Sequence, residues 1–280
     1  MLLKPLSLDK NINASIPFWA WPNLLSLDAV LVAIIWQWFF AKSFALQVVW
    51  QQELILALTV WLIYVLDRLF DGLKLDLGKE HSLRHEFYYK HYIEFAILAF
   101  FIFCADVYLV FTSLEMATII LGLVVFAFVL LYGTGLHLWG YARAYKEIYI
   151  GVLFSIGVNL VFLKDLNLNL IIAIILFAIL ASLNCLLISS WEQNSDRAQN
   201  YQSDILKPKH FGKAITDTII AFMLISLGVF IISLNQIYFA IFLSFILLFI
   251  LNSQKELLSN LKLRILVDLA LLSPLLVVFF

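Results

Sequence analysis

The chain has 280 residues, of which 64% are hydrophobic and only 13% are charged. A soluble protein carries about 25% charged residues to keep its surface hydrated, so this composition excludes a soluble enzyme, a nucleic-acid-binding protein and a disordered chain. The 18 basic and 19 acidic residues nearly cancel, which leaves no net field to attract a polyanion. We therefore expect a protein whose solvent is the lipid bilayer.

Nine apolar segments are long enough, with their flanks, to cross a membrane as helices. Such a helix needs about 20 mostly apolar residues to cross roughly 30 Å of hydrocarbon. The nine segments cover residues 24–41, 52–66, 92–111, 116–132, 148–163, 170–188, 215–233, 237–251 and 265–280. The sequence thus predicts an all-α, polytopic membrane protein. Residues 1–280 form one transmembrane domain in this prediction, with nine spans around a central cavity.

Lysine and arginine are distributed unevenly between the two sides of the predicted bundle. Sixteen of the 18 lie in the N-terminal segment and in alternate loops, and only Lys42 and Lys164 lie on the other side. Because positively charged loops stay in the cytoplasm, this pattern predicts a cytoplasmic N-terminus. The two long cytoplasmic loops, 67–91 and 189–213, are where we expect the functional site. The expected location is a multi-pass protein of a bacterial inner membrane.

Each of these two loops begins with a pair of acidic residues one helical turn apart. Asp67 and Asp71 follow the second span, and Glu192 and Asp196 follow the sixth. On a helix each pair shares one face, where like charges repel unless a cation neutralises them. Carboxylate oxygens suit Mg²⁺, which usually leaves coordination positions for phosphate oxygens. The four carboxylates therefore predict a Mg²⁺ site that binds a diphosphate, with solvated helix ends as the alternative.

Basic side chains close to the acidic pairs are candidates for binding the rest of such an anion. They are Arg68, Lys74, Arg84, His85, Lys146 and Arg197. Asn184 is a further candidate, because it lies eight residues before Glu192 on the same face of the predicted helix.

The pattern resembles the UbiA superfamily of intramembrane prenyltransferases, which have nine helices and two aspartate-rich motifs after the second and sixth. Asp67 and Asp71 match the last two acids of the family's first motif. Glu192 and Asp196 match the second motif, with glutamate in the first place. The resemblance implies that these four residues are catalytic and bind Mg²⁺ together with an isoprenyl diphosphate.

Two further segments are similar to the family's Tyr/Lys segment between the fourth and fifth helices. They are Leu131-Tyr132-Gly133 and Tyr145-Lys146-Glu147-Ile148, so the resemblance also makes Tyr132 a candidate for substrate binding. The first motif departs from the family, because Ile63-Tyr64 stands where the family has Asn-Asp. A tyrosine cannot replace a carboxylate at neutral pH.

The resemblance implies Mg²⁺-dependent transfer of an isoprenyl group from its diphosphate to a lipophilic acceptor such as an aromatic ring. The expected partners are these two substrates and membrane lipid. The alternatives are a terpene cyclase, a catalytically lapsed relative that binds a prenyl lipid or acts as a scaffold, and a transporter.

Three acidic residues lie inside predicted spans, namely Asp28, Asp106 and Asp268. An ionisable group costs at least about 2.5 kcal/mol at the bilayer centre, so each is a candidate functional residue. The alternatives are an interfacial or salt-bridged position for both Asp28 and Asp268, the second of which lies close to Arg264 in sequence. For Asp106 they are a hydrogen bond to a neighbouring helix or a position near the outer face.

Overall fold

A computed structural model describes residues 16–73, 75, 82–135, 145–193, 204–206 and 211–278, and within these ranges every regular element is helical. The α-helices are α1 (Trp21–Leu24), α2 (Leu27–Ser43), α3 (Trp50–Leu73), α4 (Leu83–Lys90), α5 (Tyr92–Ser113), α6 (Met116–Thr134), α7 (Lys146–Val158), α8 (Leu168–Trp191), α9 (Phe211–Ser233), α10 (Gln236–Ser253), α11 (Asn260–Ala270) and α12 (Pro274–Val277). Short 3₁₀ turns cover Phe18–Ala20, Leu160–Asp165 and Asp204–Leu206.

Each of the nine apolar segments contains at least one of these helices, but the helices differ in length. Five of them, α5, α6, α8, α9 and α10, are long and apolar enough to cross a membrane. A sixth span results if α2 and the short helical stretch before it count as one bent span. The described part of the chain is therefore a helical protein with several membrane-crossing helices. The nine-span topology and the central cavity stay predictions.

The first span is broken between α1 and α2. Ser26 has a left-handed backbone with φ of 61°, and the two helical stretches meet at 74°. Helix α3 donates side-chain hydrogen bonds to the carbonyl groups at the break. Arg68 donates to the carbonyls of Asn23 and Leu24 at 2.6 and 3.1 Å, and the Trp61 indole donates to Leu25 at 3.0 Å. Helix α3 thus satisfies backbone groups that lipid could not.

The last apolar segment is also broken, between α11 and α12. Pro274 has no N–H to continue the hydrogen-bond ladder, so a helix cannot run through it unchanged. The Trp36 indole of α2 donates to the free Leu271 carbonyl at 2.6 Å. Ser273 and Ser244 are within 2.7 Å of each other, and they donate to the Ala240 and Ala270 carbonyls respectively. The break is therefore held by α2 and α10.

Helix α8 is the centre of the packing. More than half of its apolar window is buried, whereas α5 and α6 bury little and turn mostly apolar side chains outward. Phe177 of α8 stacks on Trp36 of α2 with 4.4 Å between ring centroids. Helix α7 approaches α8 so closely that a Cβ on Gly151 would lie 2.4 Å from the Ser182 backbone nitrogen. The arrangement places the ends of α3 and α6 and the start of α7 close together at the candidate site.

Candidate functional site

The first acidic pair lies on α3, which continues past the predicted end of the second span at residue 66 to Leu73. Asp67 is exposed and Asp71 is half-buried, one turn further along the helix. Helix α4 packs across this end of α3, because a Cβ on Gly72 would lie 3.3 Å from the Tyr89 nitrogen. The loop 67–91 therefore contains a helix that packs against the end of α3 beside Asp71.

Helix α4 carries two of the predicted anion-binding residues, and it brings one of them, His85, to Asp71. His85 is buried, with its Nε2 atom 3.7 Å from the Asp71 carboxylate. Arg84 is adjacent and half-buried. Neither Nε of Arg84 nor Nδ1 of His85 has a hydrogen-bond partner among the residues that the structure describes. Arg84 Nε–H is a donor, and His85 Nδ1 is a donor in the tautomer that carries its hydrogen on that nitrogen, so both groups can donate to an anion.

Tyr132 reaches the same place from the end of α6. Its ring stacks on Tyr149 of α7, with centroids 4.6 Å apart and an angle of 20° between the rings. Asp67, Asp71 and Glu147 are all close enough to act electrostatically on its hydroxyl group. That hydroxyl is buried and finds no hydrogen-bond partner within the described residues. The first motif and the Tyr/Lys segment, which are far apart in sequence, are thus brought together.

Lys146 and Glu147 open α7 on the other side of Tyr132. The Lys146 ammonium lies 3.9 Å from the Glu147 carboxylate, which is only 1% exposed. Sequence reasoning selected Lys146 but assigned no role to Glu147. The only feature of the sequence that points to Glu147 is its position directly after Lys146. Its burial depends on tertiary packing, which the local sequence does not reveal.

The second acidic motif is described only in part. Glu192, at the end of α8, accepts two hydrogen bonds of 2.6 Å from one nitrogen of Arg264, which lies on α11. Asn184 donates to the Asp268 carboxylate and to the Val267 carbonyl, both at 3.3 Å and both on α11. The two residues do share one face of α8, as predicted, and that face packs on α11. A cation at Glu192 would have to compete with Arg264.

Three of the predicted site residues, Asp196, Arg197 and Lys74, lie outside the described residues. In the part that is described, no group of three or more His, Cys, Asp or Glu side chains could hold a metal ion together. The four-carboxylate Mg²⁺ site therefore stays a prediction, with one of its ligands beyond what the structure describes.

Arg68 has a structural position that the sequence did not indicate. It is 3% exposed, both of its described hydrogen bonds go to backbone carbonyls at the break in the first span, and its guanidinium lies 5.6 Å from the centre of the Tyr88 ring. The structure thus directs this side chain toward α1 rather than toward Asp67 and Asp71. Buried carbonyls without a donor would be costly, which explains an arginine here.

An apolar groove of about 290 Å³ runs between α3 and α5 beside the acidic pair. Its α3 side includes Leu66 and Phe70, which directly precede Asp67 and Asp71. The rest of the lining is Leu62, Leu69, Leu73, Tyr92, Ala96, Ala99, Phe100 and Phe103. The acidic pair and the apolar groove therefore lie on adjacent faces of α3.

Comparisons with protein families, with characterised proteins and with solved structures find nothing that matches this chain.

Proposed function

We propose that the chain is a Mg²⁺-dependent intramembrane prenyltransferase, which moves an isoprenyl group from its diphosphate to a lipophilic acceptor. A single observation carries the proposal. Two buried polar groups that lack partners among the described residues lie near Asp71, namely His85 Nδ1 and the Tyr132 hydroxyl, and Arg84, whose buried Nε also lacks a described partner, is next to His85 on α4. A buried donor without an acceptor costs about 1–3 kcal/mol, so such a set favours a ligand rich in acceptor oxygens.

The residues fit a metal–diphosphate group. Asp67 and Asp71 supply hard oxygen ligands one turn apart, and Mg²⁺ held there would stabilise the negative charge that develops on a departing diphosphate. The three donors would bind the remaining diphosphate oxygens, and Lys146 would add a positive charge. The Tyr132–Tyr149 stack would present aromatic faces to a developing allylic cation.

The groove between α3 and α5 supports the same proposal. An isoprenyl chain is apolar and flexible, and it needs a hydrophobic surface that begins next to the diphosphate. Leu66 and Phe70 provide this surface immediately beside Asp67 and Asp71. In this arrangement the diphosphate lies at the polar end of α3 while the chain lies along its apolar face.

The test is to incubate the purified full-length protein with labelled prenyl diphosphates and a membrane lipid extract, with and without Mg²⁺. Labelled product is expected only with Mg²⁺. Asp71→Asn is expected to lower the rate about 100-fold or more, because it removes charge from the proposed metal site. Asp217→Asn, an exposed acid on α9, is the matched control and should retain activity. Equal product from the two variants would contradict the proposal.

A second candidate is a catalytically lapsed relative that binds a prenyl lipid without transferring it. The salt bridge between Glu192 and Arg264 favours it, because this carboxylate is already neutralised within the described structure. The replacement of the family's Asn-Asp by Ile63-Tyr64 points the same way. Calorimetry with a prenyl diphosphate would distinguish the two, since binding that is independent of Mg²⁺ and yields no product favours the lapsed relative.

A further inference from the structure

A second polar cluster joins the first and last apolar segments. Asp28 lies in the first turn of α2 and Asp268 lies on α11. Asn23 donates a hydrogen bond to Asp28, and the same amide nitrogen is 3.5 Å from the Asp268 carboxylate. The shared Asn23 amide brings the two carboxyl groups close enough to act directly on each other. Two carboxylates cannot both stay ionised at this separation unless a proton or a metal cation lies between them.

The charges around the pair leave one negative charge uncompensated. Arg68 and Tyr64 face it from α3, and Cys185 faces it from α8. Arg264 lies one turn before Asp268, but it forms a salt bridge with Glu192. One guanidinium therefore stands against two acids in a low-dielectric interior, where an unpaired charge is costly. A single proton restores neutrality.

Asn184 supplies an independent observation. The amide nitrogen of Asn184 donates to Asp268. The oxygen Oδ1 belongs to the same carboxamide group, so it lies near the carboxyl pair. The residue is 3% exposed, and Oδ1 accepts no hydrogen bond from any residue that the structure describes. A buried acceptor left without a donor is destabilising. An O–H group on the neighbouring acid is the donor that the site lacks.

The hydrogen bonds also indicate which acid carries the proton. Asp28 accepts from its neighbour Ala29 N–H at 2.9 Å and from Asn23, and it lies at the positive end of the α2 dipole. Asp268 receives longer hydrogen bonds, from Asn184 at 3.3 Å and from Asn23 at 3.5 Å, so we place the proton on Asp268 and have it shared with Asp28.

We propose that Asp28 and Asp268 form a binding site for one exchangeable proton, placed at the break in the first span. Irregular backbone is tolerated at membrane depth mainly where it is buried in protein or lines a site, and the break between α1 and α2 brings Asn23 and Asp28 together. Nothing in this proposal depends on the prenyltransferase site, since none of these residues is among the proposed Mg²⁺ ligands.

Infrared difference spectroscopy of the full-length protein in sodium-free liposomes tests the site. The wild-type protein at neutral pH is expected to show a protonated-carboxyl band that shifts in D₂O and disappears in one step as the pH rises. Asp268→Asn should abolish this band, because it removes the group that carries the proton. Asp28→Asn should abolish it as well, because the remaining acid can then ionise against Arg68. Asp165→Asn, an exposed acid, is the control and should leave the band unchanged.

Three results would overturn the proposal. A wild-type spectrum that both Asp→Asn variants leave unchanged would show that the two acids carry no proton. A band that survives in Asp28→Asn would show that Asp268 is protonated by burial alone, without sharing. A wild-type protein without the band that is stabilised against unfolding by added Na⁺ would identify a metal cation instead. The wild-type titration decides the matter even if a variant fails to fold.

Discussion

Replacing Gly151 by alanine should force α7 and α8 apart. The added Cβ would lie 2.3 Å from the Ser182 hydroxyl, 2.4 Å from its backbone nitrogen and 2.6 Å from its Cα. Non-bonded heavy atoms pack at about 3.5–4.0 Å, so the helices must separate by roughly 1 Å. A side chain could rotate away from the new methyl group, but the backbone of α8 cannot.

The cost can be worked out from the contacts that this separation strains. Overpacking of a well-packed site costs about 1–3 kcal/mol. The hydrogen bonds from Ser182 to the Ile148 carbonyl and from Ser155 to the Ile174 carbonyl also lengthen, at about 0.6 kcal/mol each within a membrane. Alanine's better helix propensity returns about 1 kcal/mol. The net expected loss is about 1–3 kcal/mol.

Gly157 provides the matched control, because it lies on the same helix and a Cβ there would meet no atom within 4 Å. Gly157→Ala should therefore leave stability unchanged or raise it by up to about 1 kcal/mol. The free energy of unfolding in mixed micelles is the measurement. Adding Ser182→Ala to Gly151→Ala should not restore stability, because the backbone clash remains. If Gly151→Ala were as stable as Gly157→Ala, the close packing of α7 on α8 would be wrong.

Three further substitutions test individual contacts. Tyr132→Phe should weaken binding of a prenyl diphosphate about tenfold, as measured by calorimetry. The free energy of unfolding should not fall, since the hydroxyl group has no hydrogen-bond partner in the described structure. An unchanged affinity would show that Tyr132 does not contact the ligand. Arg68→Gln should lower the free energy of unfolding by about 1–3 kcal/mol, because the Leu24 carbonyl loses its side-chain donor while the Asn23 carbonyl keeps the Ser26 N–H at 3.2 Å. An unchanged free energy of unfolding would refute this anchoring role. Thr59→Val removes the 2.8 Å hydrogen bond to Asp106 and should lower the free energy of unfolding by about 0.6–1.7 kcal/mol. Thr112→Val, at the exposed end of α5, is the control and should lower it by less.

Hydropathy located the helices because a bilayer demands long apolar runs, and it located α5, α6, α8 and α10 within a few residues at each end. It failed at the breaks. Pro274 signals the interruption of the last segment locally, whereas the left-handed Ser26 depends on donors from α3 that lie some forty residues away in sequence. Hydropathy also predicted that the second span ends at residue 66, whereas the helix continues to Leu73. The charged residues Asp67 and Asp71 lower the mean hydropathy there without ending the helix.

The candidate site was predictable in its first half. The spacing of Asp67 and Asp71 and the Tyr/Lys segment identified residues that the structure brings together around Tyr132. The pairing of Glu192 with Arg264, by contrast, joins residues 72 positions apart, and no local pattern reveals such a contact. The same holds for Asp268, for which the sequence offered Arg264 as a partner although the structure gives it Asn184.

Asp106 shows how the environment decides between a functional and a structural role. The sequence marked it as a buried acid within a span, and the structure gives it a hydrogen bond from Thr59 on α3. This is the alternative of a bond to a neighbouring helix. This hydrogen bond therefore joins α5 to α3 beside the apolar groove.

The stacking of Trp36 on Phe177 has a consequence for biosynthesis. Helix α2 leaves the ribosome early, but the aromatic surface that it presents is matched by α8, which is synthesised only after α3 to α7. During that interval the rings of α2 lack the surface of α8 that later covers them. A chain truncated before α8 should therefore be more sensitive to protease than the full-length protein.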